Sequence, residues 1–524
     1  MQNEDRYFIT TSWPYSNGEA HVGHIAGNYL PADIYKRFLA LQNKDSVLIS
    51  GNDMHGTPTK ILSEKLDIPP LEIANKYKRE WEEVFKMLDI KFDLWTSTST
   101  KNHQKIVQKI FKNMYENKDI YIDKEIQPYC VKEKRFLPDR FVEGECPNCK
   151  NKEVRVGESC DKCGIYITFE KIIDPYCIVC KSEPILKETE NFFLDLPKFQ
   201  DRIKKYIDSK KNIFRPNVID QTYAYMKDGL KPRSITRDID YGIPVPIKGY
   251  ENKVIYVWFE ALIGYYSASV EYTKEENNKY WTKETKSIYF MAKDNITFHT
   301  IMLPAILFAN KLPPPTYIVS SEYVTMGNKK LSKSKSSFGV KDLIKIYGKD
   351  NVRFYLTSII PEKKDTNFDI KNLEDAINKT LSSNVGNYIN RTLTFIDKYF
   401  DSNVEKYESK KEEEYIKEKI EKISSFFNNF EFQAALREII DLSDYANRLF
   451  DSLKIWESKD KKDIYILFQY VYALNIALTP IIPESMEKLS KIINTEINNF
   501  SYSPIYGKIN SPYILFPKIE KNDY

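Results

Sequence analysis

Two short segments hold residues whose types and spacing suit the handling of a polyphosphate. His21-Val22-Gly23-His24 follows an apolar run and opens a stretch of helical periodicity. Histidines three positions apart share one face of a helix. At a helix N-terminus the free N–H groups and the dipole favour phosphate. Gly23 has no Cβ, so a flat ring can lie against the backbone there. Far downstream, Lys329-Lys330-Leu331-Ser332-Lys333-Ser334-Lys335 places four lysines and two serines in seven residues. As a loop, this run can close over phosphates and neutralise charge on a departing pyrophosphate. Taken singly, the first segment fits equally a helix start with two surface histidines, and the second a solvated basic loop. Together they favour the phosphate reading.

A different chemistry is written in the cysteines, all seven of which lie between Cys130 and Cys180. Cys146-Pro147-Asn148-Cys149 and Cys160-Asp161-Lys162-Cys163 are two Cys-x-x-Cys units separated by ten residues. Four thiolates at that spacing suit one structural, tetrahedral zinc ion with no open position. Without a secretory signal, metal is favoured over disulfides. Cys177-Ile178-Val179-Cys180 is a third pair, and Cys130-Val131-Lys132-Glu133 reads as a fourth with a carboxylate in place of the second sulfur.

These groups need a scaffold, and the 524 residues supply enough for three or four folding units. Hydrophobic residues make up 42% and charged residues 29%, which is globular composition. The net charge of +4 excludes a nucleic-acid binder working on bulk charge, so such contacts would need locally placed basic residues. Tyr470 to Pro483 is apolar but too short to span a bilayer. The polar N-terminus lacks the apolar core of a secretory signal, so a cytoplasmic protein is expected. Tyr7–Thr11 reads as a buried strand, His21–Leu41 as a helix and Val47–Gly51 as a second strand. Further strands are expected at Lys253–Trp258, Ser287–Met291 and Thr316–Val319. This alternation is the grammar of a doubly wound parallel sheet, whose ligands sit at the carboxyl ends of its strands. The periodicity is lost over 118–253, which reads as an insertion, and beyond the lysine-rich loop the chain reads as mostly helical.

The chain resembles the class I aminoacyl-tRNA synthetases, which carry a His-x-Gly-His motif on the first helix and a Lys-x-Ser-Lys-Ser loop after the last Rossmann strand. Leu331 stands where Met is commonest. Five further segments narrow the resemblance to the methionyl-tRNA synthetase family. They are Pro14–Gly18, Gly51–Thr57, Tyr256–Ala261, Ala292–His299 and Phe136–Phe141. The resemblance runs from about residue 7 to 490. It implies an α/β Rossmann domain in two halves (1–117 and 254–323) around a zinc-binding connective insertion (118–253). A loop and linker that contact the tRNA stem follow (324–382), then an all-α anticodon-binding bundle (383–524).

The residues that this resemblance singles out divide by ligand. His21, His24, Lys330 and Lys333 would be catalytic. Tyr15, Asn17, Gly23, Asp294, Ser332 and Ser334 would join the two lysines in binding ATP, with Mg2+ accompanying it. Trp13, Tyr15, Asp53, Arg237, Trp258, Ala261, Leu262, Tyr265, Asn295 and His299 would hold L-methionine. Asp53 would take the ammonium, and Trp13, Tyr15, Trp258, Ala261, Leu262, Tyr265 and His299 would form an apolar, polarisable sleeve for the thioether. Arg237 matches a family position near the adenylate and the amino acid. Trp13, Leu262 and Asn295 depart from the best-known bacterial form, which leaves the pocket shape open there. In two-zinc members of the family the outer pairs share a second ion. Here Cys130, Glu133, Cys177 and Cys180 leave two readings open, that ion or a relic site with free thiols. Asn387 and Arg391, one helical turn apart, and Trp456 would read the CAU anticodon of tRNA(Met). A monomer is expected, because the chain ends soon after this bundle. The resemblance implies activation of methionine as its adenylate, then transfer to the tRNA 3′ end. A synthetase for another apolar amino acid, a nucleotidylyltransferase and a non-catalytic zinc-ribbon RNA binder are the competing readings.

Overall fold

The computed structural model describes residues 5–520 except 158–159, 161, 164, 166, 327–328 and 331–338, and of residues 139, 153, 329 and 330 only the backbone. Five parallel strands form its central sheet: β1 (Arg6–Thr11), β2 (Asp45–Asn52), β3 (Leu94–Ser97), β4 (Thr285–Ala292) and β5 (Tyr317–Ser321). Their spatial order is β5-β4-β1-β2-β3. Successive side chains of β1 enter different cores. Phe8 packs with helices Lys101–Glu116 and Val257–Thr273, whereas Tyr7 and Ile9 face helix Leu30–Leu41 and the C-terminal helices. A sheet covered on both faces explains why its strands read as continuous apolar runs.

Strand order reverses beside β1. The chain leaves β1 towards β2 and β3, then returns to place β4 on the other flank. A ligand crevice opens outside the carboxyl ends at such a switch point. The expected strand Lys253–Trp258 is different. Only Val254–Ile255 is extended, within a separate antiparallel sheet, and a helix begins at Val257. The run of β-branched and aromatic residues is half strand and half helix start.

The segment following helix Lys101–Glu116 opens with a long antiparallel ribbon, Ile120–Cys130 against Ile185–Leu194. Between these strands a small sheet, Val142–Glu145 with Lys152–Arg155 and Ile173–Cys177, carries the cysteine turns. Beyond Gly339 most of the chain is helical. Helix Lys461–Leu478 is buried from Ile464 to Leu478 because neighbouring helices surround it, which accounts for its apolarity. Among the described residues no helix is long and apolar enough to cross a membrane.

Two arginines, buried Arg353 and half-buried Arg215, tie the helical region to the sheet domain. Arg353 is 0% exposed; it donates to the carbonyls of Leu88, Pro480 and Ile481 and pairs with Asp33 at 2.8 Å. Arg215 donates to the carbonyls of Ser320 in β5 and Phe430 between two C-terminal helices. Replacing Arg353 by methionine would leave three carbonyls without this donor in a dry interface, while Asp33 would keep Arg37 and the Lys91 N–H. The expected cost is ~1–3 kcal/mol of unfolding free energy in denaturant titration. A loss below ~0.5 kcal/mol, the range of ordinary surface substitutions, would show that this junction is not held by Arg353.

Candidate active site

A cavity of about 270 Å³ opens at the switch point. Its walls come from the ends of β1 and β4, the first helix, helix Val257–Thr273 and the segment after β5. It brings together Trp13, Tyr15, His21, Gly23, His24, Asp53, Trp258, Ala261, Leu262, Tyr265, Asp294, Asn295 and His299. Asn17 and Arg237 are not among its lining residues. The Arg237 guanidinium lies 3.9 Å from the Tyr256 ring centroid and donates to Thr236 O and Ser234 Oγ. Lys330 contributes only described backbone, antiparallel to Thr325, while Ser332, Lys333 and Ser334 lie outside the described residues.

His21 is the N-cap of the first helix, not a residue within it, with extended φ and ψ of −117° and 166°. Its Nδ1 accepts from His24 N–H and His24 Nδ1 accepts from His21 N–H, both at 3.3 Å, and the rings stack with centroids 3.5 Å apart. This reciprocal cap commits both Nδ1 lone pairs to backbone donors. Each neutral ring therefore keeps its proton on Nε2. A π-helical turn, Ile25–Tyr29, follows at once. Asn28 and Tyr29, which carry no motif signal in the sequence, project from it into the cavity wall and bond Ser12 at 2.7 and 3.0 Å.

Asp53 lies where β1 and β2 extend their pairing beyond the sheet. Asp53 N–H donates to Pro14 O and Ser16 N–H to Asp53 O, so Tyr15 stands beside the carboxylate. The Asp53 side chain is 4% exposed and accepts from His55 N–H at 3.1 Å. Burial, reinforced by the Glu260 charge, pushes its pKa well above the usual range. Among the described residues no lysine or arginine pairs with it.

Glu260 is fully buried behind Asp53, 2.8 Å from His55 Nδ1 and 3.5 Å from His103 Nε2. Burial disfavours its charge, yet the two histidines outweigh burial and lower its pKa. Burial also opposes a charged His55, but Glu260 and Asp53 raise its pKa. His103 is held in the opposite sense, lowered chiefly by burial, with Nδ1 2.7 Å from Ser267 Oγ. In the sequence His55 lies in the Gly51–Thr57 segment and His103 stands out by type alone, neither with a partner in view. Glu260, two residues after Trp258, falls within the Tyr256–Ala261 segment, but nothing in the sequence marks it as the partner of two histidines.

The apolar wall is built from rings. Trp258 stacks on Phe298 at 4.0 Å and meets Tyr15 edge-on at 5.8 Å. Trp13 fits a slot between Gly51 and Gly264, where an added Cβ on either would come within 3.0 Å of its ring. Buried His299 donates from Nδ1 to Asn295 O at 2.8 Å and accepts at Nε2 from Tyr265 O–H at 2.7 Å. Burial lowers its pKa to about 4, so the ring is neutral and its tautomer is set by these two bonds.

The cysteines gather into two groups, Cys146/Cys149/Cys160/Cys163 and Cys130/Cys177/Cys180, with all sulfurs of a group within 4.8 Å of one another. In the first group, Cys146–Cys163 and Cys149–Cys160 separations of 3.6 and 3.5 Å are far too long for disulfides. They approach the ~3.8 Å edges of a tetrahedron with ~2.3 Å metal–sulfur bonds. The donor set therefore fits a closed structural zinc site. Glu133 is exposed and outside the second group; only its N–H reaches Cys130 Sγ, at 3.3 Å.

On the helical bundle, Arg391 pairs with Asp451 at 2.8 Å and covers the Phe450 ring at 4.2 Å, with Trp456 stacked beyond Phe450 at 6.2 Å and 46% exposed. Exposed Asn387 starts the helix that carries Arg391. Asn384 is instead locked into the bundle by Asp444, Ser443 and Asn447.

A family profile described as tRNA synthetases class I (M) matches residues 7–393. The methionine–tRNA ligase of Streptococcus pneumoniae (strain CGSP14) is 39% identical over 98% of this chain and 96% of its own length. That of Pyrococcus furiosus is 37% identical over 98% of this chain and 75% of its own. Among solved structures, Mycobacterium tuberculosis methionyl-tRNA synthetase in complex with methionyl-adenylate superposes with a TM-score of 0.81 at 22% identity, covering 98% of this chain and 100% of that one. With that likeness in sequence and fold, the chain belongs to the methionine–tRNA ligase family of class I aminoacyl-tRNA synthetases.

Proposed function

We propose that this methionine–tRNA ligase uses the switch-point cavity to join methionine to ATP and then to tRNA(Met). The observation that carries the reading is the meeting of buried, cation-poor Asp53 with a stacked histidine pair and a ring-walled pocket in one cavity. Asp53 would take the α-ammonium, while Trp13, Tyr15, Trp258, Ala261, Leu262 and the Tyr265–His299 pair enclose the thioether. The methionine carboxylate would attack the α-phosphorus of ATP and expel pyrophosphate. His21 and His24, each with its proton on Nε2, would donate to the phosphate oxygens as charge builds. Lys330 and Lys333 would neutralise the leaving group, with Mg2+ accompanying ATP. The 3′-terminal ribose hydroxyl of tRNA would then attack the carbonyl carbon and release AMP, with no covalent enzyme intermediate.

Asn387, Arg391 and Trp456 would read the CAU anticodon, since a guanidinium, a ring and an exposed indole in layers suit unstacked bases. Zinc in the four-cysteine group would be scaffolding for the insertion that guides the acceptor end. A tRNA substrate is the support for a cytoplasmic setting.

Amino-acid-dependent pyrophosphate exchange tests the reading. Methionine should support exchange, with leucine and valine lower in kcat/KM by ~10–200-fold or more. Exchange with no amino acid, or equal exchange with all, would refute it. Lys333→Ala should slow adenylate formation ~10²–10³-fold with tRNA affinity nearly intact. Trp456→Ala should weaken tRNA binding by ~1–3 kcal/mol and spare exchange. Loss of the same step in both variants would contradict the division into two sites.

A further inference from the structure

The helix that walls the cavity carries a carboxylate on another of its faces. Trp258, Ala261, Leu262 and Tyr265 line the cavity, whereas Glu260 is buried and does not. Glu260 and Ser267, two turns apart on helix Val257–Thr273, share a face and meet the same ring, His103. Ser267 Oγ lies 2.7 Å from His103 Nδ1 and 3.1 Å from Gly264 O, and it has one proton to give. Given to Nδ1, that proton leaves the hydrogen of a neutral His103 on Nε2, which faces Glu260 Oε2 at 3.5 Å. The other carboxylate oxygen takes His55 Nδ1 at 2.8 Å, and His55 N–H donates to Asp53 Oδ1 at 3.1 Å. A line of polar contacts thus runs from the helix to the carboxyl in the cavity wall.

Stability alone does not account for this acid. Glu260 Oε2 and His103 Nε2 are buried, and neither completes a hydrogen bond among the described residues. A carboxylate left half-satisfied in a dry interior costs stability that an apolar residue of similar size would not. Its influence falls on Asp53, where the repulsion from Glu260 outweighs the attraction of His55. Glu260 also engages the His55 ring, and among the described residues no lysine or arginine pairs with Asp53. We infer that Glu260 is a positioning residue for methionine: it engages His55 and leaves the Asp53 carboxyl without a counter-ion of its own, a place that the substrate ammonium fills. This role rests on the reading of Asp53 as the ammonium site.

The other titratable groups facing this pair are few. Tyr15 stands beside Asp53, Tyr265 comes from the helix of Glu260, and Tyr241 donates its hydroxyl to Met54 O. Burial raises the Tyr241 and Tyr265 phenols, so both stay neutral in the acid range. Glu271 acts on His103 from the same helix. Methionine must displace a proton once pH falls below the pKa of Asp53, so the pH profile of pyrophosphate exchange reads the effect of Glu260. Glu260→Gln removes the charge but keeps an oxygen for His55. The acid limb of kcat/KM for methionine should then move down by about 1 pH unit. His55→Gln removes the attraction instead, and the limb should move up by a similar amount. Glu260→Asp, which restores a charge, should bring the limb back towards the wild-type position. The limb for ATP at saturating methionine should stay in place in all three. Should one of the glutamine variants not fold, the sign in the other decides. A methionine limb that stays put, or that moves the same way in both glutamine variants, would overturn the positioning role and leave the Asp53 reading standing. A wild type with no methionine-dependent exchange, or with no acid limb for methionine, would overturn the Asp53 reading itself.

Discussion

A carboxyl group with too little positive charge around it sits in the wall of the cavity, and much of the surrounding structure serves to keep it so. Asp53 and Glu260 are both buried, and His55 lies between them with its pKa raised by both charges against burial. With His55 charged and both acids ionised, the cluster would hold one negative charge in excess. Low dielectric makes that state costly, so a proton on Asp53 relieves it in the empty site. In the proposed reading a substrate ammonium takes over the role of that proton, and recognition of an amino acid becomes the exchange of a proton for an ammonium in a dry pocket.

The fold makes this arrangement by bringing distant segments to one point. β1 and β2 run parallel, and their pairing continues through Tyr15 and Asp53 beyond the regular sheet. Helix Val257–Thr273 turns Glu260 inward to His55 and His103 and presents Trp258, Ala261, Leu262 and Tyr265 to the cavity. Arg215 and Arg353 then fasten the helical region against β5 and the first helices. The helical region is thereby packed onto the sheet whose carboxyl ends open into the cavity.

Legibility in the sequence follows the range of the interaction. Cys146, Cys149, Cys160 and Cys163 are set by local turns, so their spacing alone foretells a cluster. His21 and His24 cap one helix start, and three residues suffice to see it. The parallel sheet is readable because its strands are apolar throughout, but short β3 is too brief to stand out and Lys253–Trp258 mimics a single strand. The slot for Trp13 depends on Gly51 and Gly264, which lie far apart in the chain. The His55–Glu260–His103 cluster likewise exists only after folding. Arg237, singled out by resemblance, lies against Tyr256 and outside the cavity lining.

The charge exchange at Asp53 can be measured directly by titrating methionine into the protein by calorimetry, in buffers of different ionisation enthalpy, between about pH 5 and 8. A raised Asp53 pKa that falls when an ammonium arrives requires net proton release on binding. It also requires methionine affinity to weaken as pH drops through that raised pKa. Binding that is strong at every pH and exchanges no protons would mean that the carboxyl is already ionised in the empty site, and that no proton makes way for the substrate.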